Sequence, residues 1–359
     1  MPVTQKRINL DLHALAKRLE GDISARGLQP GDRYRTAAEA GLMLGVSAAT
    51  AHRAMNLLVE KALLTREQGR GTFVGAGADH GKGVRLRVVY VLLEADQKSV
   101  TSVQLEDIIE AVRGRFQDAN VQFCFVPEER GVEYVRAFIG SSQRAGHYAG
   151  AIPISCSREV YRYLGDVGGP VVVLGSLYPD QQHLASVDID YRQAGRIMAQ
   201  RLISRGHRRM ALLTTGGGRP GDNALFDGIS DAITEARLPH NALIVRIFPH
   251  DFESFRAQTR ELLERPDRPS GIMCASDRLV KVVAAVAAES GMSLGTDLEL
   301  IFQGQSKPEA ERLPYPRVQP RMSFSEIAEL VAEMLAQQSA GESLREKRVV
   351  ISVELHDPS

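Results

Sequence analysis

Arg70 stands between Gly69 and Gly71 in the stretch REQGRGTFVG, with short β-prone runs on either side. This spacing makes a tight hairpin with a cation at its tip. The flanking glycines let the backbone come close to whatever the arginine touches. An arginine so placed reaches backbone phosphates or a minor groove. A plainer reading is a solvated hairpin in which QGRG only supplies turn residues. Just upstream, Thr50, His52, Arg53 and Asn56 lie at the polar end of a segment that carries Ala51, Ala54, Met55 and Leu58 on its other face. Hydrogen-bonding side chains on the first turns of an exposed helix suit base edges and phosphates in a major groove.

The elements that must hold these residues are legible. Leu12, Leu15, Leu19 and Ile23 recur at helical spacing, and GLQPGDRY then breaks the helix. Thr36-Ala-Ala-Glu39 is a capping-box pattern that opens a second, short helix. Gly45 and Val46 make a turn, and Ser47 caps a third helix running to about Lys61. From Leu63 the period becomes that of strands. Two helices about a tight turn followed by a hairpin form a winged helix-turn-helix over residues 1–76.

Residues 77–84 lie in the glycine-rich stretch GAGADHGKG and read as a linker. From residue 85 to 359, apolar runs such as LRVVYVLL, VQFCFV, AGAIPI, PVVVLG, RMALLT, ALIVRIF, GIMCAS and LELIFQ alternate with helical segments. That alternation argues for parallel sheets of the α/β class, and its length for two lobes.

The totals bound the function. The 359 residues carry no net formal charge, so no global affinity for nucleic acid or membrane follows. Residues 1–80 hold 11 Lys and Arg against 8 Asp and Glu, an excess of three cations that the remainder balances. Cys124, Cys156 and Cys274 are few, odd in number and far apart, which suits buried thiols in a reducing cytosol and no structural metal. The charged N-terminus lacks a signal-peptide core, and no apolar run approaches the ~20 residues a membrane span needs. A cytoplasmic protein without a membrane partner is expected.

Enzymatic patterns are weak. Gly216-x-Gly218-x-x-Gly221 follows an apolar strand and matches a dinucleotide fingerprint. Pro220 and the Asp222-Asn223 pair suit a turn and helix cap better, and no acidic residue ends a strand about 20 positions on to hold ribose. A ligand-lining loop is the preferred reading. No GxSxG, HExxH or Walker loop occurs, so no catalytic residue, cofactor or metal is expected. GHRRM, Gly206 to Met210, reads as a solvated helix end.

The span QPGDRYRTAAEAGLMLGVSAATAHRAMNLLVEKALLTREQGRGTFVG resembles the GntR-type winged helix through Pro30-Gly31-Asp32, Gly45-Val46-Ser47, LLVEKALL and the QGRGTFV wing. The resemblance implies DNA binding, with Thr50, Arg53, Gly69 and Arg70 matching. Ala38, Ala48 and His52 stand where the family often has arginine. The candidate DNA-binding residues are Thr36, Ser47, Thr50, His52, Arg53, Gly69 and Arg70. A histidine at 52 is expected to strengthen binding at mildly acid pH.

The remainder is similar to the effector domain of LacI-type regulators, a periplasmic-binding-protein fold. VDIDYRQAG with Asp190 and Gly195, GHRRMALL, CASDRLVKVVAA with Asp277, and YPRVQPRMSFSEIAELVAEMLAQ carry this similarity. The combination is the arabinose-repressor-like arrangement. It implies a homodimeric repressor of a double-stranded DNA operator, controlled by a small molecule, sugar-like by class. Leu225 and Gly304 occupy positions where that family often has arginine and aspartate, and the chain has no tryptophan for stacking on a sugar. Candidate effector residues are Glu94, Asp96, Ser155, Asp222, Asn223 and Asp277, with Cys156 beside Ser155. Two other readings stay open: a nucleotide-binding α/β enzyme using the 216–221 loop, and an effector-blind DNA binder.

Overall fold

A computed structural model describes residues 12–28, 31–60, 63–67, 70–75, 86–94, 102–117, 119–144, 149–215, 219–248, 252–304 and 313–358. The expected linker lies outside them, as do Gly69, Asp96 and Gly216 to Gly218.

The first elements are helices α1 (Leu12–Ala25), α2 (Ala37–Leu44) and α3 (Ala48–Glu60), then strands β1 (Leu64–Glu67) and β2 (Gly71–Val74). Leu15, Leu19 and Ile23 of α1 pack with Ala51, Ala54, Met55 and Leu58 of α3, and Leu64 and Val74 of the hairpin close the same core. The apolar stripes named by the sequence are therefore the faces that meet. The hairpin pairs Leu64 with Val74 and Glu67 with Gly71. A third segment adds to it: Tyr34 N–H donates to Thr72 O (2.8 Å), Val74 N–H to Asp32 O (2.7 Å) and Gly31 N–H to Val74 O (2.9 Å). The stretch read as a helix breaker is thus also the third strand-like layer of the wing.

Beyond it the chain alternates β3 (Val88–Glu94), α4 (Ser102–Arg115), β4 (Asn120–Val126), α5 (Gly131–Arg144), β5 (Ala149–Ile154), α6 (Arg158–Val167), β6 (Val172–Leu174) and β7 (Ala185–Ile189). It continues with α7 (Tyr191–Ser204), β8 (Met210–Thr215), α8 (Pro220–Glu235), β9 (Leu243–Phe248), α9 (Phe252–Glu264), β10 (Gly271–Cys274) and α10 (Asp277–Glu289). The last elements are β11 (Glu299–Gln303), β12 (Arg317–Pro320), α11 (Phe324–Ser339), β13 (Arg348–Ile351) and β14 (Val353–His356).

One sheet has the order β13-β7-β6-β5-β3-β4 and the other β14-β12-β11-β10-β8-β9. Strand β3 runs parallel to β4 and β5, and β8 parallel to β9 and β10. Among the described pairs of these two sheets, only β14 enters antiparallel, against β12. Interior strands such as β3 and β10 are buried almost end to end, as parallel strands covered on both faces must be. The last two strands return one to each sheet, β13 beside β7 and β14 beside β12. The chain divides into two compact units: residues 1–95, 109–172 and 332–345, and residues 96–108, 173–331 and 346–359.

The three cysteines are free thiols, with Cys156 and Cys274 buried and Cys124 partly so. No described helix is long and apolar enough to cross a membrane.

Candidate functional site

The winged helix is held by a polar lock behind its exposed face. Tyr34 Oη donates to Leu19 O (3.2 Å) and to Asp22 Oδ2 (3.0 Å). Arg35 forks onto both Asp22 oxygens at 2.8 and 3.0 Å. The Arg35 guanidinium holds the Asp22 carboxyl below the usual aspartate range, so the lock persists through neutral pH. It fixes the strand-like segment, and with it the wing, against α1.

On the exposed face, Thr36 accepts from Glu39 N–H (3.3 Å) while its own N–H donates to Glu39 Oε2 (2.7 Å), a complete capping box. Ser47 Oγ accepts from Thr50 N–H (3.2 Å), and the Ser47 and Thr50 hydroxyls lie 2.9 Å apart. Both candidate hydroxyls at 36 and 47 thus already cap helices. His52 and Arg53 are exposed on α3. His52 Nε2 lies 2.8 Å from Arg66 Nη1 of β1, a partner the sequence does not announce. Since arginine only donates, this nitrogen accepts, and a protonated ring would lose the bond. Arg70 is exposed at the hairpin tip, with its guanidinium carbon 5.7 Å from the Phe73 ring centroid. Gly71 takes φ of 126°, which the turn requires.

A second cluster forms within the unit that holds β7, α7, β8 and α8. Ser176 Oγ donates to Asp188 Oδ2 (2.6 Å) and Ile189 N–H to Asp188 Oδ1 (2.9 Å). Burial, with the neighbouring Asp190 adding to it, pushes the Asp188 carboxyl up to about 6. Burial also raises Asp222, against the opposing pull of Arg219, and Thr214 Oγ1 lies 3.4 Å from Asp222 Oδ1. Tyr191 feels both Asp188 and Asp222, and its phenol is raised by burial and by their charge. At the start of α8, a Cβ on Gly221 would come within 3.0 Å of the Tyr191 ring and 3.1 Å of Ser176 Oγ. Three acidic groups and three hydroxyls therefore converge near the carboxyl ends of β7 and β8, in a surrounding rich in acceptors.

The remaining candidates distribute as follows. Asn223 is exposed in the first turn of α8, beside Asp222. Asp277 opens α10, whose first turn is capped by Ser276 accepting from Leu279 N–H (3.4 Å). Glu94 and Ser155 end β3 and β5 in the other unit. Ser155 sits at φ of 51°, in the left-handed region, and the Cys156 thiol donates to Leu92 O (3.5 Å). Leu225 is only 2% exposed and belongs to the packed face of α8. At Gly304 a Cβ would come within 2.8 Å of the Phe302 ring, so a larger side chain there needs Phe302 to move.

Two motif glycines have a packing role. A Cβ on Gly195 of α7 would fall 3.0 Å from Leu225 C and 3.1 Å from Ile229 N. One on Gly228 of α8 would fall 2.8 Å from Arg192 C and 2.9 Å from Arg196 N. The backbones of α7 and α8 touch through these two glycines. Asp190 caps α7, accepting from Gln193 N–H (2.7 Å).

GHRRM is not a solvated helix end throughout. His207 Nε2 lies 3.0 Å from Glu299 Oε2 and its Nδ1 2.9 Å from Ser270 Oγ. Arg205 Nε also donates to Glu299 (2.6 Å), whose side chain is 9% exposed. This network sits at the amino ends of β8, β10 and β11 and staples three strands.

Residues 13–74 match the model for bacterial regulatory proteins of the gntR family, and residues 199–357 match the periplasmic binding protein-like domain. The chain thus joins a gntR-type DNA-reading region to a periplasmic-binding-protein-like domain, the composite build of a DNA-binding transcriptional regulator. It is similar to the HTH-type transcriptional regulator CelR of Thermobifida fusca, 24% identical over 323 residues that cover 87% of this chain and 94% of that protein. Catabolite control protein A of Priestia megaterium is 30% identical over 133 residues, 37% of this chain and 40% of that one. Among solved structures, the CelR–cellobiose complex shares the fold with a TM-score of 0.62 at 20% identity, over 90% of this chain and 98% of that one. The lac repressor dimer bound to operator and the anti-inducer ONPF gives 0.62 at 18% identity, over 77% and 93%.

Proposed function

We propose that the chain is a homodimeric repressor in the cytoplasm, whose winged helix reads a pseudo-palindromic operator and whose grip is set by a small, hydroxyl-rich molecule. The observation that carries the reading is the placing of Arg53 and Arg70 on one small, polar-locked domain, on the exposed face of α3 and at the tip of the wing. Helix α3 enters the major groove, where Thr50, Arg53 and Asn56 meet bases and phosphates. Arg70 reaches the adjacent minor groove or its phosphates. Thr36 and Ser47 act chiefly by fixing α2 and α3, and Gly69 by letting the wing backbone approach.

For the ligand, Asp188, Asp190 and Asp222 supply carboxyl acceptors, and Ser176, Tyr191 and Thr214 supply hydroxyls. A neutral polyol donates several O–H groups to such a set, while a phosphate or pyrophosphate is repelled by three acids against one Arg219. The same charge disfavours the nucleotide-enzyme reading of the 216–221 loop. CelR is solved with cellobiose, which supports a sugar-like effector here. Asn223 and Asp277 add polar groups from the same unit. The ligand alters operator affinity only by the difference in its affinities for the two states, typically about 5- to 150-fold in such couplings.

The test is operator binding by the full chain with cellobiose and a panel of neutral mono- and disaccharides, beside sugar phosphates. Thermal shift first finds the binders, because a ligand of the native state raises Tm. A neutral sugar that raises Tm and changes DNA affinity supports the reading. Response to sugar phosphates alone contradicts the ligand chemistry, and no response by any of them favours an effector-blind DNA binder.

A further inference from the structure

We propose that Arg66 is a phosphate-contacting residue of the DNA interface and that His52 is the positioning residue that holds it there. This rests on the DNA-reading role proposed above. Ala38 and Ala48 carry no charge, and His52 has only one ring nitrogen to offer as a donor while its other accepts from Arg66. The exposed face of α3 therefore has a single fixed cation of its own, Arg53, and further backbone charge must come from elsewhere.

Arg66 is the residue placed to supply it. In β1, side chains alternate between faces, so Arg66 shares the face of Leu64. Leu64 is buried against the winged-helix core with Leu58 and Met55 of α3. Arg66 lies one step further along that face, past the core and towards the tip, where its side chain is exposed and meets His52 of α3 at 2.8 Å. The guanidinium thus occupies the notch between α3 and the wing. A helix in the major groove and a wing in the neighbouring minor groove straddle one sugar–phosphate strand, and the notch between them faces that strand. Arginine has five N–H donors in a planar fork. One goes to His52, no carboxylate forms an ion pair with Arg66 among the described residues, and the others remain for a phosphate. A bond from His52 to the end of so long a side chain removes part of the rotamer freedom that docking on DNA would otherwise have to remove. With Nε2 accepting, the proton of neutral His52 is on Nδ1.

The experiment is fluorescence-anisotropy binding of the full chain to the duplex upstream of its own gene, between 50 and 200 mM salt. It compares wild type with Arg66→Ala, Arg66→Lys, His52→Leu, His52→Gln, Arg53→Ala and Arg70→Ala. Each neutralised phosphate contributes about 0.9 to the slope of log K against log salt. The slope for Arg66→Ala is expected to be shallower by about one, with random duplex weakened alongside the specific one. Arg66→Lys retains most of the slope. His52→Leu weakens binding with a smaller change of slope, and His52→Gln, whose side-chain oxygen can still accept, restores most of the loss. If Arg66→Ala leaves the slope unchanged while Arg53→Ala and Arg70→Ala lower it, the proposal fails and the DNA-reading role stands. If no variant changes the slope, both fail. If His52→Leu binds like wild type, the positioning role is overturned. Both side chains are exposed, and an unchanged Tm for each variant confirms that folding is not what was altered.

Discussion

The contact between α7 and α8 can be tested by adding a single carbon. Gly228→Ala places a Cβ 2.8 Å from Arg192 C and 2.9 Å from Arg196 N. The Arg192 carbonyl oxygen stands closer still, and since ordinary contacts of a carbon lie at about 3.5–4.0 Å the two helices must part by about 1 Å or more. The obstructing atoms are the backbone of α7, which cannot step aside as a flexible side chain would. Overfilling of this kind costs about 1–3 kcal/mol, and a backbone obstacle argues for the upper end. Alanine gains back about 1 kcal/mol over glycine in a helix interior. The net expectation is a loss of about 2 kcal/mol, which at about 2–4 °C per kcal/mol for a domain of this size lowers Tm by about 4–8 °C. Gly114→Ala in α4 is the control, because a Cβ there meets nothing within 4 Å, and it is expected to raise Tm slightly. Thermal unfolding by circular dichroism compares the two. If Gly228→Ala matches or exceeds the wild-type Tm, the close backbone contact is wrong.

Asp188 predicts a pH dependence with a definite sign. Its folded carboxyl is raised to about 6 from 3.8, so its contribution to stability is fully present below pH ~4 and is lost as pH rises through ~6. Asp188→Asn removes that loss, and is expected to be more stable than wild type at pH 7.5 by up to about 3 kcal/mol. The gap should close by pH 4, and equal Tm values for the two proteins at both pH values would contradict it. Glu299→Gln leaves the half-exposed Arg205 and the largely buried His207 facing a neutral amide, and urea unfolding should show a loss of about 1.5–3 kcal/mol. Thr36→Ala should cost about 1 kcal/mol through the lost capping box and leave the salt slope of DNA binding as it was. A shallower slope would place the Thr36 hydroxyl on DNA.

Much of the fold was legible where one physical signal dominated. The α1 and α3 stripes, the capping box at Thr36 and the hairpin around Arg70 each follow from local spacing, and so do the apolar strands β3, β5 and β8. What escaped was short or mixed in character. Strand β7 interrupts its apolar run with Asp188, β12 carries Arg317 and Pro320, and β13 and β14 are four residues each. GDRY looked like punctuation because its glycine ends the helical pattern, yet its backbone bonds go to the wing. Helix α8 begins at Pro220, with proline at its first position, five residues before its apolar spacing becomes visible. The site was legible only in part. Asp222 and the helix N-terminus could be named from sequence, but Ser176, Asp188 and Tyr191 come to it by tertiary packing. His52 and Arg66 are likewise 14 residues apart, with a helix end and a turn between them, and nothing in either residue announces the other.

We propose that this winged helix grips DNA through Arg53 on its helix and Arg70 on its wing. The most direct measurement of that grip is the affinity of the purified chain for its own upstream duplex at two salt concentrations, with excess random duplex as competitor. Arg53→Ala and Arg70→Ala are run beside wild type. The expected result is tight, salt-sensitive binding that survives the competitor and is weakened by either change. Binding no stronger than to random duplex and unmoved by both substitutions would contradict it.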